Sequence, residues 1–448
     1  MASTSISKTY SSAGNRQKWT WSAWIKRSSL TSASNGQTLW NCEGSSASDN
    51  FIFQIDGGGG TGGPTDSLGL HTYGNDAFRT TPLLRDTNGW YHIVFALDTT
   101  QATATDRIKL YVNGTLQSYS QETNFPTQNY EMGINRAAKH CIGSHGTNAN
   151  YYFDGYMSHI HFCDGYQYAA SDFGETDSNG VWKINTSPSV SYGTNGFFIL
   201  KDGNSLTDES PNSNDFSSNG GTLTNMKDNP SNVFATWGTT TWIDATLTHC
   251  NTSIDTEAGG NYAFNASTLA FTKGKFYWEN KITSTSTDMF GISGRYEAGD
   301  VQNELGQFAD QYAFNTEDGT IRNNNSNSSF GSSCNTNGNI VQIAIDCDNL
   351  KMYVGVNGTW QNSGDPTSGA TGTGAYSIGA LSTTKDGVYF PAIGDWSSGS
   401  ASYETNFGNG YFGQDAVASA GTNASDIGIF EYDVPTGYTA LSTKGLNL

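Results

Sequence analysis

The chain has 448 residues, of which 53 are glycine, about 12%, and only 9 are proline. Aromatic residues make up 13% and charged residues 14%, against about 25% charged residues in an average globular protein. This composition excludes an intrinsically disordered protein, and the lack of a Gly-X-Y repeat excludes collagen. Abundant Gly, Ser, Thr and Asn is typical of short strands joined by many turns.

The net charge of -19, from 41 acidic and 22 basic residues, argues against a nucleic-acid-binding protein, which needs a basic face. No stretch approaches the roughly 20 apolar residues that cross a bilayer, so we expect no membrane insertion. Residues 1–14 are polar and unlike a secretion signal. We therefore expect synthesis in a cytoplasm, with the six cysteines reduced.

Strand patterns dominate the first third of the chain. Apolar residues at alternate positions over 19–25 predict a half-buried strand. Residues 90–97 are apolar on both faces, as in the central strand of a sandwich. Residues 108–112 end in Asn113-Gly114, a dipeptide that accepts positive φ and predicts a tight hairpin. A last strand is predicted over 152–163.

The pattern weakens and then resumes. Residues 1–165 are predicted to form the first sandwich, and 166–230 an irregular connector that packs on its neighbours. Residues 231–410 are predicted to form a second sandwich, and 411–448 a tail that packs on it. The predicted fold is therefore all-β, with two antiparallel β-sandwiches that fold independently.

The first sandwich resembles a laminin-G-like, concanavalin A-type jelly roll over about residues 17–163. The resemblance is carried, in family order, by residues 19–27, 89–95, 108–114 and 152–156. It implies an antiparallel jelly roll, a fold that includes both lectins and glycan hydrolases.

The second sandwich resembles a SPRY domain over about residues 265–410. The matching pieces are residues 274–279, 341–358, 390–393 and 405–408. The loop over 294–339 is long and rich in Asn, so the ligand-facing loops of that family cannot be transferred to this chain.

The whole arrangement, with the closing segment 430–442, is similar to structural proteins of marine tailed phages. The resemblance implies a virion surface protein, made in the cytoplasm of a bacterial host, with other virion proteins as partners. We expect a tail-fibre or spike component that binds host-surface polysaccharide without catalysis and forms a homo-oligomer, taken to be a trimer. The alternative is a capsid or tail decoration or joining protein with purely structural contacts.

The sequence lacks the motifs that are typical of hydrolases. Jelly-roll glycan hydrolases place paired carboxylates on alternate residues of one strand, and no Glu-x-Asp-x-Glu stretch occurs. Glu431 and Asp433 come nearest, but they lie outside the jelly roll. No Gly-x-Ser-x-Gly elbow is present either. Glu279 and Lys281 share a strand face and are expected to be a solvated surface pair, so we expect no enzyme.

Calcium is the cofactor that the loops could hold, since oxygen-rich loops are its usual site. Asp56 and Asp66 flank the glycine-rich run 57–63, and Asp346 and Asp348 lie at a turn. The alternative is that each of these carboxylates simply caps a turn.

A second metal candidate lies on the last predicted strand of the jelly roll. His159, His161 and Cys163 alternate and are expected on one face, where they could bind zinc. The alternative is that the three side chains pack against the connector.

Aromatic residues beside polar loops point to sugar binding, because sugar C–H faces stack on Trp and Tyr. Trp360 follows the Asn357-Gly358 turn, Trp396 lies in a later loop, and Tyr73 follows a predicted strand. Asp66 could add a hydrogen-bonding carboxylate. The alternative for each ring is that it is half-buried under its own loop.

We predict that all six thiols are free of disulfides. Thiol titration of denatured, non-reduced protein should find six reactive groups, because no cysteine spacing suggests a disulfide framework. A stoichiometry near zero would contradict this prediction.

Overall fold

The structure is a computed structural model. It describes residues 4–31, 36–42, 44, 50–57, 64–72, 75–121, 125–146, 151–201, 203, 205–239, 245–256, 263–297, 304–395 and 400–448. These residues form strands, turns and short 3-10 helices, and they divide into unit 1, Met1–Asn225, and unit 2, Met226–Leu448. The predicted all-β sandwich fold is confirmed. No helix among these residues is long and apolar enough to cross a bilayer.

The strands of unit 1 are numbered in chain order over its described residues. They are β1 Ser5–Thr9, β2 Lys18–Arg27, β3 Gln37–Cys42, β4 Phe51–Ile55, β5 Ser67–Thr72, β6 Asn75–Leu83, β7 Trp90–Asp98, β8 Ile108–Val112, β9 Thr115–Leu116, β10 Tyr119–Gln121, β11 Lys139–Ile142, β12 Gly155–Asp164, β13 Gly174–Thr176, β14 Trp182–Ile184, β15 Phe197–Ile199 and β16 Ser217–Gly220. Short 3-10 helices lie at Ala104–Asp106 and Ala170–Asp172.

Unit 1 is a sandwich of two sheets. One has eight strands in the order β10-β6-β5-β4-β3-β11-β1-β16, and the other has six in the order β15-β12-β2-β7-β8-β9. Trp19 and Trp21 of β2 point into the core, because alternate residues of a strand face the same way. The ring of Trp19 meets that of Trp40 from the opposite sheet edge-on at 5.6 Å. The pattern over 19–25 therefore describes the inner face of the central strand.

Two strands of the segment predicted as a connector join these sheets. β15 pairs with β12, and β16 pairs with β1, so both are edge strands of unit 1. The β13-β14 hairpin also covers the outer face of the six-stranded sheet, where Trp182 Nε1 donates to His92 Nδ1 at 3.0 Å. The proton of neutral His92 then lies on Nε2, which donates to Ser22 Oγ at 2.9 Å. Burial lowers the pKa of His92 to about 3.

The described strands of unit 2 continue the numbering. They are β17 Ala245–Thr248, β18 Ser253–Thr256, β19 Ala263–Ala266, β20 Lys275–Ser284, β21 Asp288–Ser293, β22 Gln311–Asn315, β23 Thr320–Asn323, β24 Ser326–Ser329, β25 Ile340–Asp346, β26 Lys351–Val356, β27 Thr359–Trp360, β28 Tyr376–Ser377, β29 Phe390–Asp395, β30 Ser402–Asn406, β31 Tyr411–Phe412, β32 Asp415–Ala416 and β33 Thr439–Ala440. Short 3-10 helices lie at Gln361–Ser363, Pro366–Thr371, Leu381–Thr383 and Gly445–Asn447.

Unit 2 is a second sandwich. Its nine-stranded sheet follows the path β17-β18-β30-β20-β25-β26-β27, with β28 beside β26 and β33 beside β20. The facing sheet runs β19-β29-β21-β22-β23-β24. Trp278 and Ile282 of β20 point into the core between the sheets, whereas Tyr277 points outwards. There it packs on residues near the end of the chain, among them Phe430, Val434 and Tyr438. No disulfide joins the six cysteines, and all six are buried.

We predict that the fragment 1–225 unfolds cooperatively and that 1–175 does not. The shorter fragment lacks β15 and β16, so it exposes the edge of β12 and the buried ring of Phe162, which packs on Phe197. Urea unfolding followed by circular dichroism tests both fragments. A fully cooperative transition for 1–175 would show that the edge strands add nothing to the core.

Candidate functional site

Asp56 follows β4 and is buried in an ion-paired cluster. Its carboxylate accepts from Arg79 Nε at 2.7 Å, from His71 Nε2 at 2.6 Å and from Gln54 Nε2 at 2.9 Å. Gly69 makes room for it, since a Cβ there would lie 2.3 Å from Asp56 Oδ2. Burial alone would raise the pKa of Asp56, but the hydrogen bonds and charges of these neighbours lower it, so the carboxylate stays ionised.

Asp66 is also a buried carboxylate with arginine partners, and its own backbone has a φ of 70°. Arg27 Nη1 lies 2.9 Å and Arg85 Nε 3.2 Å from its carboxylate, which also accepts from Thr31 N at 3.0 Å and Thr31 Oγ1 at 2.8 Å. Burial alone would raise the pKa of Asp66, but these contacts outweigh burial, and the pKa is lowered overall. The fully buried partners of the two aspartates are therefore the guanidinium groups of Arg27 and Arg79.

Asp346 and Asp348 both stabilise the turn after β25. Asp346 lies 2.8 Å from Lys275 Nζ and accepts from the backbone N–H of Asn349 at 2.9 Å. Asp348 Oδ1 accepts from the backbone N–H of Gly274 at 2.9 Å. These contacts fit the turn-capping alternative. Among the described residues, no group of three or more His, Cys, Asp and Glu side chains could hold a metal ion.

A bulge disturbs the predicted zinc face of β12. The register shifts between Ser158 and His161, and His159 has φ of 48°. The ring of His161 stacks on Phe198 at 3.9 Å, and its Nδ1 lies 2.9 Å from the Tyr192 hydroxyl. Cys163 belongs to a buried apolar cluster below the β13-β14 hairpin. The packing alternative therefore describes these side chains.

The structure describes two of the four predicted sugar-binding residues, Trp360 and Asp66. Trp360 is half-buried in unit 2, with its ring centroid 6.5 Å from those of both Tyr277 and Tyr353. Asp66 lies in unit 1, inside its ion pairs. Trp396 and Tyr73 lie outside the described residues. A role for Trp360 in sugar binding therefore stays a prediction.

Two tyrosines that the sequence did not single out are exposed at one end of unit 1. Tyr130 is 41% exposed and Tyr166 is 42% exposed, and every other described aromatic side chain is more buried. The residues that precede them contact the start of β2, since Asn129 accepts from Gln17 and Gly165 donates to Lys18. We call Gln17, Lys18, Gln101, Tyr130 and Tyr166 the tyrosine surface.

Threonine hydroxyls hold the backbone carbonyls of both tyrosines at the ends of central strands. Thr99, directly after β7, donates from Oγ1 to the carbonyl of Tyr130 at 2.8 Å. Thr20 of β2 donates from Oγ1 to the carbonyl of Tyr166 at 2.9 Å. The carbonyl of Lys18 also accepts from the N–H of Gly165 at 2.9 Å. The two rings are thus presented from neighbouring strand ends of one rigid sheet.

The polar side chains of the tyrosine surface are held by hydrogen bonds. The carboxylate of buried Asp98 accepts from Lys18 Nζ at 3.2 Å and from Gln101 Nε2 at 2.9 Å. Burial raises the pKa of Asp98, but its donors, with Thr100 first among them, lower it overall. Gln17 Nε2 donates to the carbonyl of Asn129 at 2.7 Å. The surface therefore combines exposed rings with amide and ammonium groups, which suits a polar ligand with apolar faces.

The sequence carries only a weak signal for this surface. Tyr130 closes the polar stretch 127–129, and Tyr166 opens the segment predicted as a connector. Neither residue belongs to an alternating pattern. The available signal is an aromatic residue set among polar residues beside a predicted strand end.

Comparison with known families supports the architecture of unit 1. Residues 3–167 match the family model of the concanavalin A-like lectin/glucanases superfamily, in its laminin-G-type branch. This part of unit 1 is therefore similar to concanavalin A-like domains. The tyrosine surface lies within the matched residues. No curated protein matches this chain.

Solved structures show likeness at low identity. The SPRY domain of human HERC1 is 13% identical, with 38% of this chain and 96% of that chain covered and a TM-score of 0.30. Another human SPRY domain is 17% identical, with 36% and 93% covered and a TM-score of 0.26. A putative carbohydrate binding protein from Bacteroides ovatus is 18% identical, with 51% and 61% covered and a TM-score of 0.31.

We predict that Asp66→Ala lowers the free energy of unfolding by about 3–5 kcal/mol, because it leaves the buried Arg27 charge without its carboxylate. Asp348→Ala is the control and should cost about 1 kcal/mol, since it removes one hydrogen bond at an exposed turn. Urea unfolding measures both. If Asp66 held calcium instead, a chelator would destabilise the wild-type protein by a similar amount and leave Asp66→Ala unchanged.

Proposed function

We propose that this protein binds glycans without catalysis and that the tyrosine surface of unit 1 makes the contact. The observation that carries the proposal is the pair Tyr130 and Tyr166, the most exposed described aromatic side chains, at one end of a concanavalin A-like domain. Sugar C–H faces stack on such rings, and the neighbouring amides suit sugar hydroxyls.

The affinity of one such site should be modest. The rings stand at strand ends, so little dry area surrounds a bound sugar. We expect a Kd of about 1 mM to 1 μM per site, or about -4 to -8 kcal/mol. Strong attachment then requires several copies acting together.

The contacts of Asp98, Glu431 and Asp433 favour sugar binding over sugar hydrolysis. Glycosidases need two carboxyl groups flanking the bond, about 5–5.5 or 6.5–9.5 Å apart. Asp98 is buried and already holds Lys18 and Gln101. Glu431 and Asp433 belong to unit 2, where they accept from backbone N–H groups of Ala418 and Thr422. These contacts give each carboxylate a structural role.

The biological setting in this proposal is the surface of a tailed-phage virion. A fibre, spike or similar appendage would present several copies, as a homo-oligomer bound to other virion proteins, to host polysaccharide. The support is the resemblance of the sequence, in the order of its two sandwiches and in its closing segment 430–442, to structural proteins of marine tailed phages. A capsid or tail decoration role with purely structural contacts is the competing reading.

We predict that Tyr130→Ala and Tyr166→Ala each weaken glycan binding about tenfold, because each removes a stacking contact worth on the order of 1 kcal/mol or more. Their melting temperatures should stay close to that of the wild type, since both side chains are exposed. Leu116→Ala and Val181→Ala remove other exposed apolar side chains of unit 1 and serve as matched controls. Binding is measured on arrays of host polysaccharide with the full chain displayed multivalently.

Other outcomes redirect or end the proposal. If Trp360→Ala weakens binding tenfold at an unchanged melting temperature and the tyrosine variants do not, the sugar lies on unit 2. A large loss of stability in Trp360→Ala with unchanged binding would make Trp360 a packing residue. If the multivalent wild-type protein retains no host glycan, the adhesion proposal fails and the decoration role replaces it.

A further inference from the structure

Glu279 of β20 is fully buried on the outer face of the nine-stranded sheet. The expected solvated pair with Lys281 is therefore wrong, and Lys281 Nζ instead lies 3.6 Å from Asp415. The sequence could not show this, because the residues that bury Glu279 lie about 150 positions later in the chain. They form the C-terminal segment, defined here as residues 418–441.

The carboxylate of Glu279 holds the backbone of this segment. Oε1 accepts from the N–H of Tyr432 at 2.9 Å and from the Tyr277 hydroxyl at 2.8 Å. Oε2 accepts from the N–H of Glu431 at 2.9 Å and, more weakly, from Asn406 Nδ2 at 3.4 Å. Two successive amides of the segment are thus fastened to one side chain of the sheet.

The C-terminal segment covers an aromatic surface. Phe430, Val434 and Tyr438 pack in one cluster with Tyr277 and Tyr353, and Trp360 packs against that cluster. The Tyr432 ring also lies over the Gly358 turn, where a Cβ would come within 2.8 Å of it. Loss of the Glu279 contacts would therefore loosen the cover of these rings.

Among the residues that the structure describes, no cation is in contact with Glu279. Tyr277 is its neighbour on β20, and Gln342 Nε2 of β25 donates to the Tyr277 hydroxyl at 3.2 Å. β30 contributes Asn406 and, further along, Glu404. The segment contributes Glu431 and Tyr432. The pKa of Glu279 rises to about 7, because burial outweighs the donors that favour its charged form and Glu431 adds repulsion.

We propose that Glu279 is a proton-dependent clamp, which holds the C-terminal segment on the sheet most strongly at acidic pH and weakens as the pH rises to neutral. The segment then opens more often and uncovers Tyr277, Tyr353 and Trp360. This inference does not depend on glycan binding by unit 1.

The sign follows from linkage between protonation and docking. In the open state Glu279 reaches water, and its pKa returns towards 4.5, whereas in the docked state it is about 7. The docked state therefore binds the proton more tightly, so docking is strongest below about pH 4.5 and is weakened as pH rises through 7. With these two values the opening equilibrium increases about tenfold from pH 6 to pH 8.

Hydrogen exchange of the full chain tests the clamp. Exchange at the amides of residues 427–434 is followed by mass spectrometry at pH 6, 7 and 8, and each rate is corrected for intrinsic exchange. We expect the wild-type opening equilibrium to rise about tenfold over this range, and that of Glu279→Gln to stay flat. Glu431→Gln keeps the backbone contact to Glu279 and removes only a contribution to its raised pKa that is smaller than that of burial, so as the matched control it should retain most of the wild-type dependence.

Two results would overturn the clamp. A Glu279→Gln profile that rises like the wild type would show that another group titrates. Full protection of 427–434 in Glu279→Ala at pH 6 would show that Glu279 does not hold the segment. If Glu279→Ala does not fold, Tyr277→Phe replaces it, because it removes one donor from the carboxylate and keeps the ring. It should raise opening at pH 8 by about tenfold, and no change would contradict the clamp.

Discussion

In each unit, the sheet that contains the central strand has large apolar side chains on both of its faces, and both faces must be buried away from water. Side chains alternate across a strand, and the central strands carry large side chains on both sides. In unit 1, Trp21 of β2 faces the core while Trp24 faces outwards and is still buried. In unit 2, Trp278 of β20 faces the core while Tyr277 faces outwards. A two-sheet sandwich covers only one of these faces, so each unit adds a third layer from chain that follows its strands.

The third layer also decides the chemistry of the polar groups beneath it. His92 of unit 1 and Glu279 of unit 2 are both fully buried under such a layer. Burial favours the neutral form of each, which lowers the pKa of His92 to about 3 and raises that of Glu279 to about 7. His92 therefore stays neutral under all mild conditions, while Glu279 changes charge near neutral pH. In the clamp proposed above, the cover over Glu279 therefore responds to pH near neutral, and the cover over His92 does not.

The core strands could be predicted because their signal is local. The alternation over 19–25 lies within β2, and Asn113 and Asn357 adopt the positive φ that their Asn-Gly turns predict. The third layers and the edge strands could not be predicted, since they depend on contacts with distant parts of the chain, as in the pairing of the short strands β15 and β16. The role of Asp66 was equally hidden. A carboxylate beside a glycine-rich run has the same sequence whether it holds calcium or a buried arginine.

The tyrosine surface depends on the same rigid sheet. Tyr130 and Tyr166 are presented by backbone that Thr99 and Thr20 fasten to the ends of β7 and β2. Tyrosine has only two side-chain torsions, so a sugar that stacks on a ring held in this way orders few further degrees of freedom. The cost of binding is small, but so is the area that each ring can offer. Affinity at such a surface therefore grows with the number of rings engaged at once, and so with the number of copies presented together.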